Sequence, residues 1–200
     1  EGSVFMGGAV IQWLRDQLGI LNTATESEAM AREVADTGGM YLVPAFTGLG
    51  APNWDMYARG LMIGMTRGTN RCHIVRAALE SIAYQSRDIG EILSSRSPLP
   101  MTSLRVDGGA AANDFLMQFQ ADILGISVQR PSVSETTAFG AALLAGLGVN
   151  IWKNTTALPV DRPGIQVFEP RMEAKVRDRL FLGWQKAVSK SKGWADPNGG

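Results

Sequence analysis

The chain has 200 residues, 45% of them hydrophobic and 19% charged, which suits one buried core and excludes a disordered polypeptide. Its 19 basic and 19 acidic residues cancel, and without a dense Lys/Arg cluster a nucleic-acid-binding surface is not expected. The single cysteine, Cys72, excludes an internal disulfide framework and a cysteine-based zinc cluster.

No secretory signal pattern is present, and no uncharged run is long enough to span a bilayer. The apolar run from Ala138 to Val149 reads instead as a buried helix. Asn154-Thr155-Thr156 matches a glycosylation sequon, a frequent chance match. The sequence opens Glu1-Gly2-Ser3 without a methionine and reads as a piece of a longer protein.

In chain order, Val4, Phe5 and Met6 read as the end of a strand, followed by Gly7-Gly8 and a helix from Ala9 to Leu18 that closes near Gly19. Gln12 lies about one helical turn past Gly8. It either faces whatever sits over the glycine turn or is a solvated helix residue. Thr25-Glu26-Ser27-Glu28 has capping-box spacing and opens a short helix through Met30 and Val34. After an Asp36–Gly39 turn, Tyr41–Phe46 reads as a buried strand, with Pro44 marking an edge or bulge.

The loop Thr47–Asp55 carries an exposed Trp54. Its Gly48-Leu49-Gly50 fails as a dinucleotide fingerprint, because Asn53 stands where the third glycine belongs and no amphipathic helix follows. Gly60–Met65 is expected to pair antiparallel with Tyr41–Phe46. A long helix from about Cys72 to Leu93 follows, with Val75, Leu79, Ile82, Ile89 and Leu93 as its core face. His73, the sole histidine, has no metal-binding partner at ligand spacing and reads as structural. Glu80 reads as a helix-face ion-pair or cap partner. Ser94–Pro100 is a linker.

The centre of the chain is Leu104-Arg105-Val106-Asp107-Gly108-Gly109, then Ala110 to Gln118. It reads as strand, glycine turn and a helix from about Asn113, with Leu116, Phe119, Ile123 and Leu124 on one face. Paired glycines open backbone torsions and leave no side chains to hold a ligand off. A helix start offers free N–H groups and positive dipole. The stretch is therefore either a seat for a phosphorylated ligand or a tight turn with no ligand.

Ile126–Gln129 is a short strand. Ser132–Glu135 has capping-box spacing and opens a helix rich in alanine and glycine, where Thr136 and Thr137 either cap the helix or meet a ligand. Trp152–Phe168 reads as irregular. Met172–Lys192 is an amphipathic helix with Val176, Leu180, Trp184 and Val188 on one face, and residues 193–200 read as a flexible tail. The order of elements predicts an α/β fold with a mixed sheet flanked by helices. Neither a P-loop nor a Gly-x-Ser-x-Gly elbow occurs.

Several stretches carry a family resemblance. Gly60-Leu61-Met62-Ile63-Gly64-Met65 followed by His73-Ile74-Val75-Arg76-Ala77-Ala78-Leu79-Glu80 resembles, in type and spacing, a signature of the FGGY carbohydrate kinases. Phe5–Asp16, Pro44–Pro52, Trp54-Asp55, Tyr57–Gly60, the Asp107 turn, Glu135–Ala138 and the Gly183–Val188 region extend the likeness, which is nearest to the glycerol kinases of that family. The resemblance covers nearly the whole chain.

The resemblance implies the ribonuclease H-like half of an actin-like ATPase fold, missing its opening strands, with residues 1–192 as a partial carboxy-terminal domain. It implies that Gly109 and Asn113 contact ATP or ADP, that Gly8 and Gln12 line the same site, and that Ala110 and Ile11 form its walls. Mg²⁺ is the implied cofactor, with no protein ligand in this chain. In the family the glycerol pocket and the general-base aspartate lie mostly upstream of Glu1 and the phosphate hairpin precedes it, so no catalytic residue and no metal ligand are assigned here. Asn53 stands where an aromatic residue is usual, which weakens the choice of substrate. The implied parent is a cytoplasmic ATP-dependent kinase of glycerol, homo-oligomeric, with no nucleic-acid partner and no membrane span. Another FGGY sugar or polyol kinase, an actin-like nucleotide-binding module without kinase activity, and a degenerate fragment with a structural role are the alternatives.

Overall fold

A computed structural model describes residues 3–132, 136–159 and 164–195. The helices are α1 (Ala9–Asp16), α2 (Glu26–Arg32), α3 (Arg71–Arg96), α4 (Asp114–Leu124), α5 (Thr136–Gly148) and α6 (Ala174–Ser191). The strands are β1 (Tyr41–Val43), β2 (Leu61–Ile63), β3 (Ser103–Arg105), β4 (Ser127–Arg130) and β5 (Gln166–Phe168). β1 and β2 pair antiparallel, with Tyr41 opposite Ile63. β3 and β4 pair parallel through the α4 crossover, and β5 adds antiparallel to β4, giving the expected mixed sheet.

The long helix α3 is the spine, packed against α1, α2, α4, α6 and β1. Val75, Leu79, Ile82 and Tyr84 of α3 are buried with Leu116, Phe119 and Ile123 of α4 and Phe181 and Trp184 of α6. The Tyr84 ring stacks on Trp184 at 5.4 Å and meets the Phe119 ring edge-on at 5.5 Å, geometries that aromatic quadrupoles favour. Leu93, expected on the core face, is exposed, because the last turns of α3 run past α4 into solvent.

The start of α3 explains His73. Asn70 accepts from the N–H groups of Cys72 and His73, and the His73 imidazole returns a bond to the Asn70 backbone N–H. That is a reciprocal cap, and it gives the histidine a structural task. Glu80 is buried and pairs with Arg76 at 2.9 Å, while the Tyr84 hydroxyl donates to it at 3.3 Å.

Other expectations are corrected. Val4–Met6 forms no strand with any described residue; instead Gln85 Nε2 donates to the Met6 carbonyl at 3.0 Å. The Thr25–Glu28 capping box does not form. Thr25 makes no side-chain cap bond, and Glu28 reaches to α4 instead. The glycine turn does not feed α4 directly, because a 3₁₀ turn over Gly109–Ala112 intervenes. β5 lies inside the segment read as irregular. Only Phe168 of its three residues is buried, so it shows no apolar pattern in the sequence. α5, expected as a buried helix, is largely exposed: Leu144 faces solvent, as does Val149 just past its end, and close approach occurs at Gly146, against the Trp152 ring.

Residues 133–135 of the second capping box lie outside the described residues, as does the Thr136 side chain. Of the expected tail, Gly193 N–H donates to Asp55 and Ala195 N–H to the Tyr57 carbonyl, each at 2.8 Å. Residues 196–200 lie outside the described part. Among the described residues, no helix is long and apolar enough to cross a membrane.

Candidate functional site

β3 delivers the chain to Asp107 and Gly108. Gly108 has φ of 81°, a torsion glycine adopts without steric cost, and this turns the backbone into the 3₁₀ segment. Asn113 ends that segment with extended torsions and caps α4, its Oδ1 accepting from Leu116 N–H at 2.9 Å. The exposed Gly109 and Ala110 stand on the inner side of this turn.

Gly8 faces it at the start of α1. A Cβ built on Gly8 would lie 3.6 Å from Ala110 Cβ, whereas one built on Gly109 would meet nothing within 4 Å. The first residues of α2 close a third side, and Leu79 and Ile82 of α3 with Leu116 of α4 line the apolar interior. The result is a cleft of about 670 Å³, the size of a small-molecule site. Gly8, Ile11, Gln12, Gly109, Ala110 and Asn113, the residues implied by resemblance, all line it. Ile11 is buried in its wall, and Gln12 is exposed at its edge.

Two further residues of the Thr25–Glu28 stretch, Ser27 and Glu28, meet the cleft, and of these the spacing assigns a role only to Glu28, as the capping partner of Thr25. Ser27 Oγ accepts from Asn113 Nδ2 at 3.2 Å and donates to the Ala24 carbonyl at 2.6 Å. Glu28 Oε2 accepts from Asp114 N–H at 3.0 Å, and its Oε1 accepts from Arg32 at 2.9 Å. Local spacing contains no signal for these bonds, because the partners lie 86 residues apart. Arg130 supports the same turn from behind, donating to the Ala111 carbonyl and to Asp114.

The strongly shifted acids lie away from the lining. Burial pushes Glu80 up to about 7, against the opposing pull of Arg76. Burial likewise pushes Asp88 up to about 6, although Trp184 Nε1 donates to it at 2.8 Å. Among the described residues no three His, Cys, Asp or Glu side chains group to hold a metal ion. Glu28 is bound to Asp114 and Arg32, and no metal step is assigned to this chain.

Two further cavities contain none of the implied residues. One, of about 440 Å³, is apolar and bounded by Trp13, Phe46 and Met62. The other, of about 390 Å³, lies between Asp107, Arg130 and Gln166.

Residues 1–149 match the C-terminal domain of the FGGY family of carbohydrate kinases. The chain is 59% identical over 199 residues to a glycerol kinase of Shewanella frigidimarina and 58% identical over 196 residues to one of Pseudothermotoga lettingae. These matches take in 100% and 98% of the chain, which spans only 39% of each relative. Among solved structures, a Plasmodium falciparum glycerol kinase crystallised with ADP superposes with a TM-score of 0.84 at 36% identity. That match covers 95% of this chain and 38% of the other. The mixed sheet flanked by helices is accordingly the ribonuclease H-like half of such kinases, and the chain belongs to the FGGY family of carbohydrate kinases.

Proposed function

We propose that this chain supplies the adenine-nucleotide half of an ATP-dependent kinase that phosphorylates glycerol. The observation that carries the reading is the convergence of Gly8, Gln12, Gly109 and Asn113 on one cleft of about 670 Å³. The high identity to glycerol kinases supports glycerol over other acceptors. The ADP held by the similarly folded Plasmodium enzyme supports a nucleotide as the ligand.

The chemistry divides as follows. Ile11, Ala110, Leu79 and Ile82 offer an apolar slot for a purine. Gly109 carries no side chain into that slot, so a base or ribose can lie against the backbone. Asn113 and Gln12 supply polar groups at its rim. Phosphoryl transfer is governed by positioning and charge neutralisation, and this chain contributes the positioning of the nucleotide. Mg²⁺, when bound with the phosphates, supplies charge neutralisation. A cytoplasmic, self-associating full-length enzyme belongs to the same reading, and the lone buried thiol of Cys72 fits a reducing compartment.

The test is ADP production by the full-length protein with glycerol, erythritol, xylulose and gluconate as acceptors. Glycerol is expected to give the highest kcat/KM by at least about tenfold, the weight of one well-placed acceptor contact. A higher value for a pentose or for gluconate contradicts the substrate, and no turnover with any acceptor contradicts the kinase.

A further inference from the structure

Ser27 is only 2% exposed, and the nucleotide reading leaves it without a task. Its hydroxyl uses both of its capacities, donating to the Ala24 carbonyl and accepting from Asn113 Nδ2. Asn113 spends its Oδ1 on the α4 cap. The amide is therefore gripped at both ends, although the terminal torsion of an asparagine is otherwise broad. One N–H remains to meet a ligand.

The next residue repeats the arrangement. Glu28 accepts from the Asp114 N–H, a donor that has no partner inside its own helix. Successive residues of α2 thus hold successive residues at the start of α4. A helix of seven residues is not stable by itself, and α2 is tied at its other end as well. Arg76 donates to the Ala31 and Val34 carbonyls and is itself held by Glu80.

We infer that Ser27 is a positioning residue for nucleotide binding, and that α2 is a brace that fixes the Asn113 amide before ligand arrives. This rests on the proposed nucleotide cleft. Preorganisation of this kind lowers the ordering cost of binding.

The test is a double-mutant cycle in the full-length protein, reading KM for ATP, KM for glycerol and kcat. Ser27→Ala is expected to raise the ATP KM about 3- to 10-fold, the weight of one net hydrogen bond, with kcat and the glycerol KM unchanged. Ser27→Ala combined with Asn113→Ala is expected to be no worse than Asn113→Ala alone, because Ser27 acts through Asn113. Ser27→Cys, close in shape with weaker hydrogen bonds, is expected to fall between and covers the case in which the alanine variant does not fold. An unchanged ATP KM in Ser27→Ala, or effects that add in full, overturns the brace while leaving the cleft standing. An unchanged ATP KM in Asn113→Ala overturns the nucleotide cleft and the brace with it.

Discussion

A Cβ built on Gly8 would stand 3.6 Å from the Cβ of Ala110. The start of α1 and the 3₁₀ turn after β3 are thus in van der Waals register, although they are distant in sequence. The contact joins two walls of the cleft at their base and leaves Gly109, one residue earlier, over open space.

That geometry separates folding from binding at Gly109. A Cβ there would have no neighbour within 4 Å, and the residue has no left-handed torsion. Gly109→Val is therefore expected to shift stability by less than about 1 kcal/mol, near the scale of ordinary surface changes. The same side chain would project into the cleft and raise the ATP KM by at least about tenfold, as overpacking of a fitted site does. Thermal unfolding and ATP kinetics on one preparation check both halves.

Asn113 has two separable tasks. As the N-cap of α4 it accepts from Leu116 N–H, and aspartate caps a helix about as well as asparagine. As a donor toward Ser27 it needs the amide nitrogen. Asn113→Asp is expected to keep stability within about 0.5 kcal/mol and to weaken nucleotide binding about tenfold. Asn113→Ala is expected to lose about 1 kcal/mol of stability in addition. Denaturant titration and calorimetry with Mg-ADP distinguish the variants.

Glu80 makes stability depend on pH. Its folded pKa rises from 4.5 to about 7 through burial, so the folded chain binds the proton more tightly than the unfolded one. The contribution is present in full below the unfolded value and is lost as pH rises through about 7. Glu80→Gln removes the titration. Its stability relative to the native chain is expected to improve steadily from about pH 5 to about pH 8, measured by urea midpoints. A difference that stays flat across this window contradicts the assignment.

Trp184 is 1% exposed and donates to the half-buried Asp88. Trp184→Phe keeps an aromatic ring against Tyr84 but removes the donor, leaving the carboxylate short of a partner. A loss of about 1–3 kcal/mol is expected, read by chemical denaturation.

No base and no acceptor site is assigned among the described residues of this chain. The 200-residue polypeptide is expected to produce no ADP on addition of glycerol and ATP. Turnover by this chain, measured with a coupled ADP assay, would contradict the division of labour between its two walls and the rest of the enzyme.

Much of this architecture was legible in the sequence because it rests on local rules. The 3.6-residue periodicity from Val75 to Ile89 marks α3, Asn113 marks the start of α4, and the flanking glycines mark both cleft turns. The elements that were not legible depend on distant partners. β5 buries only Phe168 and exists through its pairing with β4. Glu28 has ideal local spacing for a capping box, yet the donor it serves belongs to Asp114. The 3₁₀ turn at Gly109–Ala112 is too short to show a period. For the cleft, residue chemistry indicated a glycine turn without deciding on a ligand, and resemblance supplied the nucleotide.

The most direct test of the central claim is a crystal structure of the full-length protein grown with Mg-ADP. The adenosine is expected between Gly109 and Asn113 on one side and Gly8 and Gln12 on the other, with its base against Ile11 and Ala110. Adenosine bound instead in the apolar cavity beside Trp13 and Phe46, or between Asp107 and Arg130, would contradict the account.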